Sequence, residues 1–350
     1  MSKLADLKTV KIFEPLKKKP EVFGNKENSN FNSEVVYDIL SKNSNDTITY
    51  WFKLQQAWCN NAYSTFKDYD SYLILVYLIN TVFQKYSDRF QYLSFEEFYA
   101  KDELVIDKIN LIEISKHLNI PKETIRRKVN FLQDQNIIFR KGKSIFFSNA
   151  INKTQKPSNS KRIMAGFLEK ISEILARESW FGRPFNKEEI ELFIDKYFTI
   201  CWQHWFRLQI PFLVRHRTFY GDLETWNVWG SIGISQYTDY SKQVKNRVVE
   251  DPRTYADLYL HLLRHTPKNG INASSISEIS TIPRATVIRK LKYLLKEKLV
   301  SKNKKLEYML LPSSKNIKSF EENYMHNQKH KAGFVTIIFD LMKNSSFKVE

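Results

Sequence analysis

The pentapeptide Trp51-Phe52-Lys53-Leu54-Gln55 returns as Trp205-Phe206-Arg207-Leu208-Gln209, 154 positions later. A second echo follows each copy. Ile120-Pro121-Lys122-Glu123-Thr124-Ile125-Arg126-Arg127-Lys128 is answered by Ile282-Pro283-Arg284-Ala285-Thr286-Val287-Ile288-Arg289-Lys290, 162 positions on. Two echoes in one order, apart from a net insertion of 8 residues, indicate one unit used twice. Such a chain is expected to be built like a dimer within one polypeptide.

The 350 residues suffice for two domains, each with its own core. A hydrophobic fraction of 42% and an aromatic fraction of 14% belong to a folded protein. Only 9 glycines occur, and the stretches between turn signals are of helix length. That argues for a mostly helical chain and against a glycine-loop nucleotide enzyme. The 55 Lys and Arg exceed the 38 Asp and Glu, for a net charge of +17. A field of that sign attracts polyanions, nucleic acid first and anionic membrane second. Part of the lysine surplus matches the Lys-, Asn- and Ile-rich usage of AT-rich coding. Cys59 and Cys201 are far apart in aromatic helical contexts and read as reduced core residues. The first ten residues lack a signal-peptide core, and the longest apolar run, Tyr72 to Ile79, falls short of the ~20 residues of a span. A soluble, cytoplasmic (nucleoid-associated) protein with no membrane partner is expected.

Residues 1–33 read as a basic flexible arm, with Lys17-Lys18-Lys19-Pro20 and no sustained period. Residues 34–150 read as a helical scaffold plus a first DNA-reading module, 151–162 as a polar linker, 163–312 as a second scaffold and module, and 313–350 as a tail. Scaffold helices are expected near Glu34–Leu40, Thr47–Phe66, Tyr69–Tyr86, Glu188–Phe206, Thr218–Ile232 and Thr254–His265. In the first module Leu111, Ile114 and Leu118 share a helix face, and a turn at Asn119-Ile120-Pro121 leads into a second helix. Ile125, Val129 and Leu132 form its buried stripe, and Val287, Leu291 and Leu294 repeat it in the second module. Strand-like Ile137–Arg140 and Ser144–Phe147 flank Lys141-Gly142-Lys143, a hairpin. Leu299–Ser301 and Tyr308–Leu311 flank a second basic turn. Helix, turn, helix, hairpin is the winged-helix order. The Phe334–Met342 stretch of the tail reads as a terminal helix or strand.

In a helix-turn-helix the start of the second helix reaches base edges in the major groove. The outward residues there are Lys122, Glu123, Thr124, Arg126, Arg127 and Asn130, and in the second module Arg284, Ala285, Thr286, Ile288, Arg289 and Lys292, with Lys290 added as a further cation. Arg127 and Arg289 are equivalent, and arginine can grip guanine O6 and N7 through two parallel bonds. Thr124 and Thr286 suit a phosphate or a thymine methyl. Glu123 suits cytosine N4 or a helix cap. The hairpin cations Arg140, Lys141, Lys143, Lys302, Lys304 and Lys305 suit backbone or minor-groove contacts.

On Ile120–Val129 with the Ile137–Phe147 hairpin, and on their counterparts from Ile282 to Leu311, the chain resembles bacterial winged-helix transcription regulators, in the broad MarR-like sense. The resemblance implies a fold and no particular gene target, and members usually dimerise through helices outside the reading module. The fusion in one chain, with reading helices that no longer match, departs from that pattern. Plasmid replication initiators are similar at the level of architecture alone.

No P-loop, Gly-x-Gly-x-x-Gly, nucleophile elbow or His-Glu-x-x-His is present, so no enzyme and no cofactor is expected. Neither His261/His265, Cys201/His204 nor His326/His330 assembles four metal ligands. Trp202, Trp205, Trp226 and Trp229 read as core packing, or as the wall of a pocket for a small apolar effector. The expected fold is mainly α with small β-hairpin wings: two tandem winged helix-turn-helix units on an aromatic-rich scaffold, related by a pseudo-twofold. The expected function is a sequence-specific regulator of transcription that binds double-stranded DNA, as a monomer or homodimer. A replication initiator and a protein-interaction module are the alternatives.

Overall fold

The computed structural model describes residues 31–89, 91–101, 103–106, 110–141, 144–148, 158–245, 270–311 and 314–344. Over these the chain is mainly helical, with two small antiparallel sheets. The first half runs α1 (Ser33–Lys42), α2 (Ser44–Phe66), α3 (Tyr69–Asp88), α4 (Phe95–Ala100), β1 (Glu103–Ile106), α5 (Leu111–Leu118), α6 (Lys122–Asp134), β2 (Ile138–Lys141), β3 (Ser144–Ser148) and α7 (Ser158–Arg177). The second runs α8 (Lys187–Lys196), α9 (Phe198–Tyr220), α10 (Leu223–Lys245), α11 (Ala273–Ser280), α12 (Arg284–Lys296), β4 (Val300–Lys302), β5 (Tyr308–Leu310) and α13 (Ser314–Asn344).

The spacing of the sequence echoes extends to these elements. Helices α8 and α9 start and end 154 positions after α1 and α2; α11 and α12 start and end 162 after α5 and α6. Their boundaries have repeated local causes. Asn32 and Asn186 cap α1 and α8, each side-chain oxygen accepting from backbone N–H groups of the first turn. Asp68 and Asp222 do the same ahead of α3 and α10, accepting from Ser71 N at 2.9 Å and Thr225 N at 2.7 Å. Left-handed residues end α2 and α9: Lys67 at φ 52° and Gly221 at φ 84°. Asn119 and Thr281 close α5 and α11 in the same way.

The core lies where α2 meets α9. Aromatic contacts there recur with the two halves exchanged. Trp51 meets Phe212 at 5.6 Å while Trp58 meets Trp205 at 5.2 Å; Phe52 meets Tyr237 at 5.8 Å while Phe206 meets Phe83 at 5.8 Å. Between them Gln55 and Gln209 face each other, each donating an amide N–H to the other's carbonyl oxygen at 3.0 Å. Both are buried. The outer helices follow the same exchange: α7 packs on α2 and α8, and α13 packs on α9 and α1. Phe167 of α7 lies 5.5 Å from Trp51, and Phe334 of α13 lies 5.6 Å from Trp205.

The structure corrects several expected boundaries. Glu188–Phe206 is not one helix: it breaks at Tyr197, where α8 gives way to α9. The helix expected over Thr218–Ile232 spans a turn at Gly221 between α9 and α10. Residues 158–162 of the expected linker are the first turn of α7, and the expected tail carries the 31-residue helix α13. Asn32 and Ser33 of the expected arm cap and begin α1. The Thr254–His265 segment and residues 1–30 lie outside the described residues. Strand β1 has no counterpart among the expected elements. It pairs with β3 to give the order β1-β3-β2; among the described residues the second sheet has β4 and β5, extended by one Ile271–Tyr308 bridge.

A double-mutant cycle tests the paired carboxamides. Gln55→Leu strands the buried Gln209 amide and is expected to cost about 1–3 kcal/mol. Gln55→Leu/Gln209→Leu is expected to recover most of that loss in urea unfolding, and strictly additive losses would show the two amides to be independent.

Candidate nucleic-acid interface

Each helix–turn–helix is closed by the same short contacts. Ser115 Oγ donates to the Ile120 carbonyl at 2.7 Å, and Ser277 Oγ to that of Ile282 at 2.6 Å. Asn110 and Asn272 cap the first helix of each pair. Pro121 and Pro283 stand just ahead of the second, where a missing N–H costs nothing. Ile125, Val129 and Leu132 are buried beneath α6, and Val287, Leu291 and Leu294 beneath α12, as their spacing predicts.

With those stripes inward, Lys122, Glu123, Arg126, Arg127 and Asn130 are exposed on α6, and Thr124 is half-buried. On α12 Arg284, Ala285, Arg289 and Lys292 are exposed, while Thr286 and Ile288 are half-buried. Glu123 holds Arg126 at 2.6 Å in an exposed i,i+3 pair, so this carboxylate takes an arginine partner and not the cap assigned as one alternative. Arg284 Nε donates to Ser274 Oγ at 3.1 Å, tying the start of α12 to that of α11. Arg289 stands near enough to Tyr63 to oppose the burial and carboxylates that raise its phenol pKa. Helix α12 carries five cations and no carboxylate; α6 carries four cations with Glu123 and Asp134. The second face is the more cationic.

Among the hairpin residues, Arg140, Lys141, Lys302, Lys304 and Lys305 are exposed, and Lys143 lies outside the described residues. Lys141 sits 5.2 Å from the rings of Phe139 and Phe146, which stack at 5.5 Å. Lys302 sits 5.5 Å from the ring of Tyr308.

Lys290 corrects the sequence reading. Its side chain is only 13% exposed and turns inward, with Nζ 2.6 Å from Asp222 and 3.9 Å from Glu224. Lys128 matches it, with Nζ 2.8 Å from Asp68. One residue type thus locks each second helix to the aspartate that caps α3 or α10. Burial pushes the Asp68 and Asp222 carboxyls up, but hydrogen bonds from lysine and from the capped turn prevail and hold both low. Burial and the neighbouring Asp222 push Glu224 up to about 7. The sequence held the signal: Lys128 and Lys290 fall three residues after Ile125 and Val287, on the edge of each buried stripe.

A second anchor crosses between halves. Arg217 of α9 bonds Asp70 through Nε at 2.7 Å and Nη2 at 3.1 Å, and reaches the Asn119 carbonyl at 3.0 Å. Gln56 and Asn60 of α2 donate to the Ile279 carbonyl of α11 at 3.1 and 2.8 Å. Each helix–turn–helix is therefore held by a long helix of the other half.

Of the four tryptophans read as a pocket wall, Trp226 and Trp229 line a cavity of about 140 Å³, together with Trp51. Trp202 and Trp205 pack instead against Trp58 in the core, at 5.9 and 5.2 Å. Cys201 and His204 are buried, and burial with the nearby Arg207 drops the His204 pKa to about 3. His326 and His330 lie on α13, and His261 and His265 outside the described residues. Among the described residues no group of three or more His, Cys, Asp or Glu is placed to hold a metal ion, and no helix is long and apolar enough to cross a membrane.

Asp68→Asn removes the charge behind Lys128 and is expected to cost about 1–2 kcal/mol at neutral pH. Asp68 is a carboxyl with a lowered folded pKa, so its contribution is present above the unfolded value of 3.8 and is lost as pH falls through the folded value. Unfolding curves of the two proteins should converge in acid. An undiminished gap there would remove the ion pair from the account.

No family model, no curated protein and no solved structure matches this chain.

Proposed function

We propose that the chain is a sequence-specific, duplex DNA-binding regulator of transcription, built from two winged helix-turn-helix units in a pseudo-twofold arrangement. The observation that carries this reading is the repetition of one exposed cationic helix face. On both α6 and α12 the apolar stripe is buried, an inward lysine fixes the helix to the scaffold, and arginines at equivalent positions, Arg127 and Arg289, stay exposed. A helix seated in this way offers its first two turns to a groove, and the hairpin cations beside it suit the backbone. Lys290 and Lys128 are positioning residues and take no part in contacting DNA.

The two faces read unlike half-sites. Arg126 of α6 is matched by Ile288 of α12, and Glu123 by Ala285. The first face therefore offers charged and carboxylate contacts where the second offers apolar ones, suited to thymine methyls. The more cationic α12 supplies the larger share of backbone attraction. Half-sites in successive major grooves would lie ~34 Å apart.

Binding to a site selected from a random duplex pool should weaken linearly in log–log form as salt rises, and a flat response would count against the proposal. Arg127→Ala and Arg289→Ala should each lose about 1–3 kcal/mol, at one half-site each. If both variants bind the selected site as the wild type does, α6 and α12 are not the reading helices.

A further inference from the structure

The cavity between α2, α9, α10 and α13 holds a lysine that no carboxylate answers among the described residues. Lys331 of α13 is 6% exposed, lines the cavity, and has its Nζ 4.4 Å from the ring centroid of Trp51. Among the described residues no carboxylate pairs with it, and burial alone drops its pKa to about 7. Arg215, close by on α9, is also buried; its Nη2 donates to Asn327 while Nε and Nη1 have no partner. Two neighbouring side chains of the cavity wall hold unsatisfied acceptors, Asn323 Oδ1 and Gln328 Oε1, although both residues are more than nine-tenths buried. Buried cations and carbonyl oxygens without partners cost stability, so a core left to packing alone would replace them.

The other half of the molecule carries that replacement. Phe167 and Phe334 occupy matching places against Trp51 and Trp205; three residues before Phe334 stands Lys331, and three before Phe167 stands Met164, fully buried. Arg215 likewise corresponds, 154 positions back, to exposed Asn61. The positive charge without a carboxylate partner lies on one side; the buried lysine of α7, Lys161, is held by Asp195. Four aromatic rings, those of Trp51, Phe212, Trp226 and Trp229, also line the cavity. A volume of about 140 Å³ matches what accommodates a single six-membered ring.

We propose that this cavity is a binding site for a small organic acid made of one flat ring, a carboxylate and an N–H or O–H donor. The carboxylate pairs with Lys331, the ring lies among the tryptophans, and the donor satisfies Asn323 or Gln328. This goes beyond the DNA-binding reading and does not depend on it. The two meet in Gln56 and Asn227, which line the cavity and also hold the end of α11 through the carbonyls of Ile279 and Ser280.

The test uses the full chain without DNA. Calorimetry with 4-aminobenzoate is expected to give saturable binding, with 4-aminobenzamide, its neutral counterpart, at least about tenfold weaker. Benzoate, which lacks the donor, should fall between them. Lys331→Met copies the residue of the matching place. It is expected to fold, to raise the melting temperature, and to bind acid and amide alike; Lys331→Gln provides a second variant without the charge. Equal binding of acid and amide by the wild type, undiminished acid binding by both variants, or no binding of any of the three compounds would overturn the proposal.

Discussion

Two carboxamides face each other where the long helices cross, each giving and taking one hydrogen bond. A buried glutamine has few places to put its amide, and here the partner is the equivalent residue of the other half. That requirement fixes the sliding of α2 against α9 far more narrowly than ring packing alone, because aromatic contacts tolerate a range of offsets. Everything outward hangs on this register. The rings of Trp51, Trp58, Trp205 and Phe212 close around the amides, and α7 and α13 pack over the rings.

From the crossing, position passes to the surface through polar links. Asp68 and Asp222 each end one helix start and hold one lysine, so a cap and an ion pair share a carboxylate. Arg217 and the Gln56–Asn60 pair add a grip from the opposite half. Neither cationic face is thus borne by its own half alone. Movement of one helix–turn–helix relative to the core would have to break contacts that also seat the other half.

The sequence made some of this legible and hid the rest for identifiable reasons. The stripes of α6 and α12 have regular apolar spacing and lie buried where it places them, and the apolar run from Tyr72 to Ile79 falls inside α3. The break at Tyr197 was hidden because apolar residues continue across it and α9 is buried nearly all round, which leaves no periodic face to read. Helix α13 was hidden by the opposite cause: its buried face contains Asn323, Gln328 and Lys331, so the stripe reads as polar. Strand β1 is four residues long and its partner β3 is remote in sequence, beyond the reach of local pattern. Of the candidate site, the exposed arginines were readable as outward positions. The inward turn of Lys290 runs against the surface place that lysine suggests, and its position beside Val287 and Leu291 is the signal for it.

The contrast between Met164 and Lys331 has a wider consequence. In an assembly of two identical chains any awkward residue is installed twice, and its penalty doubles. A continuous polypeptide that supplies both sides escapes that arithmetic, so a lysine can sit deep on the left while methionine keeps the right side sound. Lopsidedness of this sort is closed to a homodimer and open to a single strand folded back on itself.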